Sequence, residues 1–296
     1  MNADQPEVLD RRIVARDFDT AAATYERVAV LQHTVLERLL ERLDVIRLQP
    51  RVILDLGSGS GSAARRLARR YRHARLLQLD IAYGMLRQAR AQSWRWFSRQ
   101  RFIQADALAL PLAAGSTDFV FSNLMLQWVD RPEQVFTELH RCLRPGGLVQ
   151  FASFGPDTLQ ELRASWAAVD EAPHVSPFVD MHNVGDALVR AGFADPVMEA
   201  EHFCLTYPDC YALMRELQQL GARNALAARR RTLTGHRRLR GMVAAYEQFR
   251  QPDGRLPATF EVVYGHAWVP AQPQQTADPD SGEVHVPLTA LKRRRE

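Results

Sequence analysis

Residues 52–61 read Val52-Ile53-Leu54-Asp55-Leu56-Gly57-Ser58-Gly59-Ser60-Gly61. A short apolar run, rich in side chains that favour strands, reaches an acid and passes directly into three glycines at alternate positions. A turn that tight, from a strand into a helix through Ala63, Leu67 and Ala68, needs positive φ or close backbone approach, and glycine permits both. In open α/β sheets a turn of this kind lies at the carboxyl ends of the strands, where a ligand can rest against backbone N–H groups.

The flanks extend this pattern in both directions. Upstream, Phe18, Ala22, Tyr25, Val28, Ala29, Leu36, Leu39, Leu40 and Leu43 recur at three- and four-residue spacings, which predicts a helix over 18–45. Downstream, strands are predicted at 76–79, 102–103, 118–122 and 148–154, with helices through 85–89 and 132–143. Pro145-Gly146-Gly147 breaks the second of these helices. Later come a helix over 183–191 closed by Gly192 and strands at 197–205 and 259–268. A helical, arginine-rich stretch over 207–250 separates those two strands.

Strands alternating with helices predict an α/β, Rossmann-like fold, with a mostly parallel sheet of seven strands and helices on both faces. The expected divisions are a helical cap (1–50), a ligand-binding α/β core (51–206), an arginine-rich helical insertion serving as lid and docking segment (207–255), the last core strand (256–269) and a loosely held tail (270–296).

Three acids follow three successive predicted strands. Asp55 sits just before Gly57, where a carboxylate suits a ligand with an ammonium group and would repel the pyrophosphate of a dinucleotide. Asp80 ends the second strand, where a carboxylate can accept from both hydroxyls of a ribose; nicotinamide enzymes do the same, so Asp80 alone does not discriminate. Asp106 follows the third strand, where it can accept from an adenine amino group beside the N–H of Ala107. Amino-acid end, ribose and adenine in that order describe S-adenosyl-L-methionine.

Composition narrows the setting. The 296 residues, 46% hydrophobic, suffice for one α/β domain plus an insertion. No apolar run reaches the roughly 18 residues of a membrane span, and the polar first ten residues lack a signal-peptide core, so a cytoplasmic protein is expected. Cys142, Cys204 and Cys210 form no C-x-x-C pair, so neither a metal site nor a disulfide framework is expected. A net charge of +4 does not by itself select nucleic acid. The charge is nevertheless uneven: 222–240 hold Arg223, Arg229, Arg230, Arg231, Arg237, Arg238 and Arg240 and no acid.

As a set, the glycine turn, Asp80, Asp106-Ala107 and Leu143-Arg144-Pro145-Gly146-Gly147 resemble the class I methyltransferases over about 50–154. Further strings resemble one family among them. They are Phe18-Asp19-Thr20-Ala21-Ala22-Ala23-Thr24-Tyr25, Ser122-Asn123-Leu124-Met125-Leu126-Gln127-Trp128, Phe154-Gly155-Pro156-Asp157-Thr158-Leu159-Gln160-Glu161-Leu162, Phe178-Val179-Asp180-Met181-His182, and Leu220-Gly221-Ala222-Arg223-Asn224 with Leu233-Thr234-Gly235. That family is the malonyl-[acyl-carrier protein] O-methyltransferases of biotin synthesis, and the likeness runs from about 13 to 269.

The resemblance implies methyl transfer from S-adenosyl-L-methionine to the free carboxylate of a malonyl thioester on acyl-carrier protein, or on coenzyme A. It implies cofactor contacts at Asp55, Gly57, Ser58, Gly59, Gly61, Asp80, Ile81, Met85, Asp106, Ala107 and Asn123. Tyr25 is expected over the cofactor near the methyl, with Asn123 at the mouth and Gln127 and Trp128 lining the substrate side. Arg223, Arg229, Arg230 and Arg231 are expected to meet the acidic carrier, and one arginine could hold the carboxylate. The residues alone leave open another small-molecule acceptor, such as a quinone or a free carboxylic acid. No Asn-Pro-Pro-Tyr-type string for base methylation occurs, and neither nucleic acid nor a membrane is an expected partner.

Overall fold

The computed structural model describes residues 8–93, 99–230, 232 and 234–271. Asp10 accepts from the Arg12 backbone N–H and so caps α1, Arg11–Ala21, one of the strong N-cap choices. Two further helices follow, α2 over Tyr25–Val28 and α3 over Val30–Glu41. The alternating part runs β1 Val52–Leu56, α4 Ser62–Arg70, β2 Arg75–Asp80, α5 Tyr83–Gln92, β3 Gln100–Gln104, β4 Thr117–Asn123, α6 Pro132–Cys142 and β5 Leu143–Phe154. The remainder runs α7 Gln160–Ala167, α8 Met181–Arg190, β6 Ala194–Tyr207, α9 Cys210–Gln219, α10 His236–Tyr246 and β7 Leu256–Trp268.

The strands form one seven-stranded sheet in the order β3-β2-β1-β4-β5-β7-β6. β1 to β5 are mutually parallel, and β7 is antiparallel to both β5 and β6. Both faces are covered, so the central strands read as nearly continuous apolar runs. Alternate residues divide between two cores. Ile53, Phe119 and Phe121 pack with Leu36 and Leu39 of α3, whereas Leu54, Leu56 and Val120 pack with Phe136 and Leu139 of α6.

The reversal of β7 decides where the insertion lies. Phe154, at the carboxyl end of β5, pairs with Val262, and Tyr207 at the end of β6 pairs with Leu256. The segment joining β6 to β7 therefore leaves and rejoins the sheet at the carboxyl edge of the parallel strands, the edge that carries the glycine turn.

Three expectations from periodicity change. The helix expected over 18–45 begins earlier and is broken. Thr24 turns its hydroxyl back onto the Ala21 carbonyl, and Ala29 leaves helical geometry with ψ +45°. Pro145-Gly146-Gly147 does not precede β5 but lies within it as a bulge: Thr117 pairs with Leu143, yet Phe119 pairs with Leu148. The helix expected over 207–250 is two helices. Gly221, at φ +77°, ends α9, and Leu226 then forms a bridge with Leu9. The tail from 272 onward lies outside the described residues.

Candidate active site

The glycine turn is built by three different demands. The N–H groups of Gly57 and Ser58 both donate to the Leu79 carbonyl, at 2.8 and 3.0 Å, which ties the turn to β2. All three glycines have positive φ, +69°, +52° and +84° for Gly57, Gly59 and Gly61. A Cβ on Gly57 would lie 2.3 Å from the Met125 side chain, and one on Gly61 2.8 Å from Gln78 Oε1 and 3.0 Å from Ala89. A Cβ on Gly59 would meet nothing within 4 Å. Gly57 and Gly61 thus serve close packing, while Gly59 presents bare backbone to open space.

That space is a cleft of about 720 Å³ over the carboxyl ends of β1, β2 and β4. Of the residues expected at the cofactor, Tyr25, Gly57, Gly59, Asp80, Ile81, Met85, Asp106, Ala107 and Asn123 line it, as does Trp128 from the expected substrate side. Asp55, Ser58 and Gly61 do not line it; they lie behind the turn, with Asp55 and Ser58 buried. Gln127 and Arg223 line a second cavity of about 760 Å³, whose wall also includes Trp128. The remaining arginines are placed elsewhere. Arg229 donates to the Leu226 carbonyl at 2.8 Å, and Arg230 pairs with Asp170 at 3.3 Å. Arg231 lies outside the described residues.

Asp80 accepts from the Gly59 and Ala82 N–H groups, both at 2.8 Å, so it holds the turn while facing the cleft. Burial pushes its carboxyl up to about 6 despite those two donors. Asp55 is buried beside it; desolvation, then the charge of Asp80, pushes it up to about 7, and its Oδ2 has no hydrogen-bond partner. Tyr25 is raised well above the usual phenol range by burial and then by Asp80 and Glu26, so it keeps its proton near neutrality.

Three residues at this site, Glu26, Arg11 and Gln32, carried no signal in the sequence, and neither did the backbone conformation of a fourth, Leu124. Glu26 accepts from Ser60 and Ser62 at 2.5 and 2.8 Å and pairs with Arg65 at 2.8 Å, so it fastens the short helix bearing Tyr25 to the glycine turn. Burial alone would raise Glu26, but hydrogen bonds with His33, Ser60, Arg65 and Ser62 outweigh it and hold the carboxyl far below its ordinary range. Arg11 reaches Asp106 across 95 positions of chain. The Gln32 carbonyl accepts from Asn123 at 3.1 Å. Leu124, at φ +55°, holds the strained turn that ends β4 and sets Asn123 at the cleft. Each depends on long-range placement or backbone geometry that no local string announces.

The cleft fits a cofactor of the expected kind on its own chemistry. Gly59 offers backbone without a side chain, Asp80 and Asp106 end successive strands, and Asn123 Oδ1 is buried without a donor. Elsewhere, Asp157, His202 and Glu261 bring potential metal-ligand atoms within 4.8 Å of one another. Their atoms already serve each other: Asp157 meets His202 at 3.2 Å and its N–H donates to Glu261.

Fold and cleft together define the chain as a Rossmann-like, class I methyltransferase, and a family described as a methyltransferase domain matches residues 54–151. Among solved structures, the YcgJ protein of Bacillus subtilis is similar with TM-score 0.57 at 14% identity, covering 80% of this chain and 99% of that one. Phosphoethanolamine N-methyltransferase 2 of Haemonchus contortus, in complex with phosphomonomethylethanolamine and S-adenosylhomocysteine, is similar with TM-score 0.50 at 16% identity, over 85% of this chain and 58% of that one. Those likenesses concern the fold. Sequence relatives go further. A malonyl-[acyl-carrier protein] O-methyltransferase of Halorhodospira halophila is 48% identical over 100% of both chains. That of Laribacter hongkongensis is 50% identical over 91% of this chain and 93% of its own. The chain belongs to the malonyl-[acyl-carrier protein] O-methyltransferase family. No described helix is long and apolar enough to cross a membrane.

Proposed function

We propose that the chain transfers a methyl group from S-adenosyl-L-methionine to the free carboxylate of a malonyl thioester carried on acyl-carrier protein, a cytoplasmic step toward biotin. The observation that carries the cofactor half is the bare face of Gly59, opening on a cleft with Asp80 and Asp106 at successive strand ends. The acceptor half rests on the relatives, which are named for that substrate.

When bound, the cofactor supplies a methyl group on a sulfonium centre, open to in-line attack. Gly57 and Gly59 would bring backbone against its amino-acid end, and Asp80 would accept from the ribose hydroxyls. Ile81 and Met85 would flank the adenosine, with Asp106 and Ala107 reading the adenine edge. Asp55, Ser58 and Gly61 would act by shaping the turn from behind. A malonyl carboxylate is already ionised near neutral pH, so the chain need supply no general base. Tyr25 suits that chemistry, because a phenol that keeps its proton can wall or hydrogen-bond the reacting groups but cannot deprotonate them. Tyr25, Asn123 and Trp128 would exclude water and fix the approach, and well-oriented reactants are worth roughly 7–11 kcal/mol.

The carrier is proposed to dock on the arginine segment through Arg229, Arg230 and Arg231, with the 207–255 insertion closing over the substrate. The experiment that tests the whole reading is a methyl-transfer assay with malonyl-carrier protein, malonyl-coenzyme A and free malonate. Transfer to the carrier thioester is expected, together with rescue of a biotin-requiring strain lacking its own enzyme. Transfer to a quinone or a free acid alone would replace it.

A further inference from the structure

The second cavity has a polar inventory that calls for a particular ligand. It lies between α3, the loop after α7, the sheet and the insertion, and its walls are mainly apolar, with Leu31, Leu162, Phe178, Leu217 and Phe260 among them. It meets the cofactor cleft at Trp128, which lines both. Gln32 is on its wall, and Gln32 Oε1 is buried with no donor, an acceptor that a turn of the side chain would offer to a bound N–H group. Arg223 is an exposed residue that also lines the cavity, which puts it at the cavity's boundary with water. It is the one arginine on this wall, and among the described residues its side chain has no ion pair or hydrogen bond. The cavity's one carboxylate, Glu216, already accepts from the Tyr207 hydroxyl at 2.8 Å, while His174 Nε2, 3.3 Å from Asp170, makes no hydrogen bond.

We propose that this cavity receives the pantetheine arm of the thioester substrate, and that Arg223 at its mouth pairs with the arm's phosphate. The ordering follows from desolvation. An apolar, amide-bearing chain gains by burial and can donate to Gln32, whereas a phosphate is best left at the water edge beside a cation. The thioester end then reaches Trp128 and the cofactor cleft, and the acyl carboxylate meets the methyl. Arg223 is thus separated from Arg229 and Arg230, which line neither cavity. It reads the arm, not the carrier's surface. This inference rests on the thioester reading above.

The test compares two substrates that differ only in the phosphate, malonyl-pantetheine and malonyl-4′-phosphopantetheine, with the full chain and S-adenosylmethionine. For the unaltered protein kcat/KM should be about tenfold higher with the phosphate, mostly through KM. In Arg223→Ala that advantage should vanish, the loss falling chiefly on the phosphorylated substrate, and Arg223→Lys should restore part of it. A phosphate preference that persists in Arg223→Ala, or an equal loss on both substrates, overturns the assignment; the equal loss would place Arg223 on the carboxylate. Leu217→Trp, which fills the cavity, should raise KM for both thioesters at least tenfold while S-adenosylhomocysteine still binds as before. Unchanged KM in that variant would overturn the cavity itself. If the unaltered protein methylates no malonyl thioester, the reading of function fails instead, and titration of phosphopantetheine and pantetheine into the two proteins still decides the phosphate contact.

Discussion

The glycine turn at 57–61 and the arginine run at 222–240 are each conspicuous in the sequence, but they relate to structure in opposite ways. The turn is defined by its own backbone: positive φ at three glycines, two N–H groups on Leu79 and one on Asp80. Spacing alone therefore foretells its shape. The arginine run has no shape of its own. Gly221 ends one helix, Leu226 is drawn to Leu9, and Arg230 and Arg238 both turn to Asp170, a carboxylate from the loop after α7. A motif written in backbone conformation can be read locally; one written in charge takes its meaning from whatever faces it.

Substitutions can strain this contrast, beginning with the largest effect. Gly57→Ala places a Cβ against Met125 in a left-handed conformation, so activity should fall on the order of 100-fold or more, with a loss of roughly 1–3 kcal/mol in stability. Thermal unfolding and S-adenosylhomocysteine titration measure both; near-normal binding would show that the turn tolerates what its geometry forbids. Asp80→Asn removes the charge that holds Gly59 and faces the cleft, and should weaken cofactor binding by about 10- to 100-fold in calorimetry.

Replacing Arg229, Arg230 and Arg231 together with alanine should act on the other region only. KM for malonyl-carrier protein is expected to rise about fivefold, less at high salt, with cofactor affinity unchanged. An unchanged KM would remove the docking role.

The smallest effect is that of pH. Asp80 and Asp55 are raised to about 6 and about 7, so the free protein holds extra protons from the ordinary aspartate range up to neutrality. The unfolded chain has already released those protons, so stability of the free protein should decline as pH rises through that window. Binding a cationic ligand favours the ionised carboxylates, so affinity for S-adenosylmethionine should improve severalfold from pH 5.5 to 8. Titrations in buffers of different ionisation heat would show the released protons, and a flat profile would mean that neither acid feels the ligand.

The same contrast sets how much could be read in advance. All seven strands were legible, the five parallel ones as short apolar runs between turn residues and the antiparallel pair as longer alternating stretches. Most of the residues expected at the cleft do line it, since a strand end fixes where its last side chain points. What escaped was set at a distance. Glu26 gives no sign in sequence that it will gather Ser60, Ser62 and Arg65, and Arg11 none that it will find Asp106. Asp55, Ser58 and Gly61 share the motif with Gly59 yet do not line the cleft: Gly61 packs against Gln78 and Ala89, and Asp55 and Ser58 are buried, which spacing alone does not announce. The break at Ala22–Thr24 was hidden by apolar spacing that continues across it.

The reversed strand β7 also decides where a change in the insertion is felt. Both ends of the insertion are anchored in a ladder pairing β6 with β7 from Ala194 to Tyr207, on the far side of the sheet from the strands that carry Gly59, Asp80 and Asp106. That excursion pairs with none of β1, β2 or β3, but it touches the donor cleft through the start of α1: the Asp10 N–H donates to the Ala225 carbonyl, and Val14 and Phe18 of that helix line the cleft. A change of length or charge in that one connection is therefore met directly at the second cavity, and at the methyl donor only by way of the N-terminal helix.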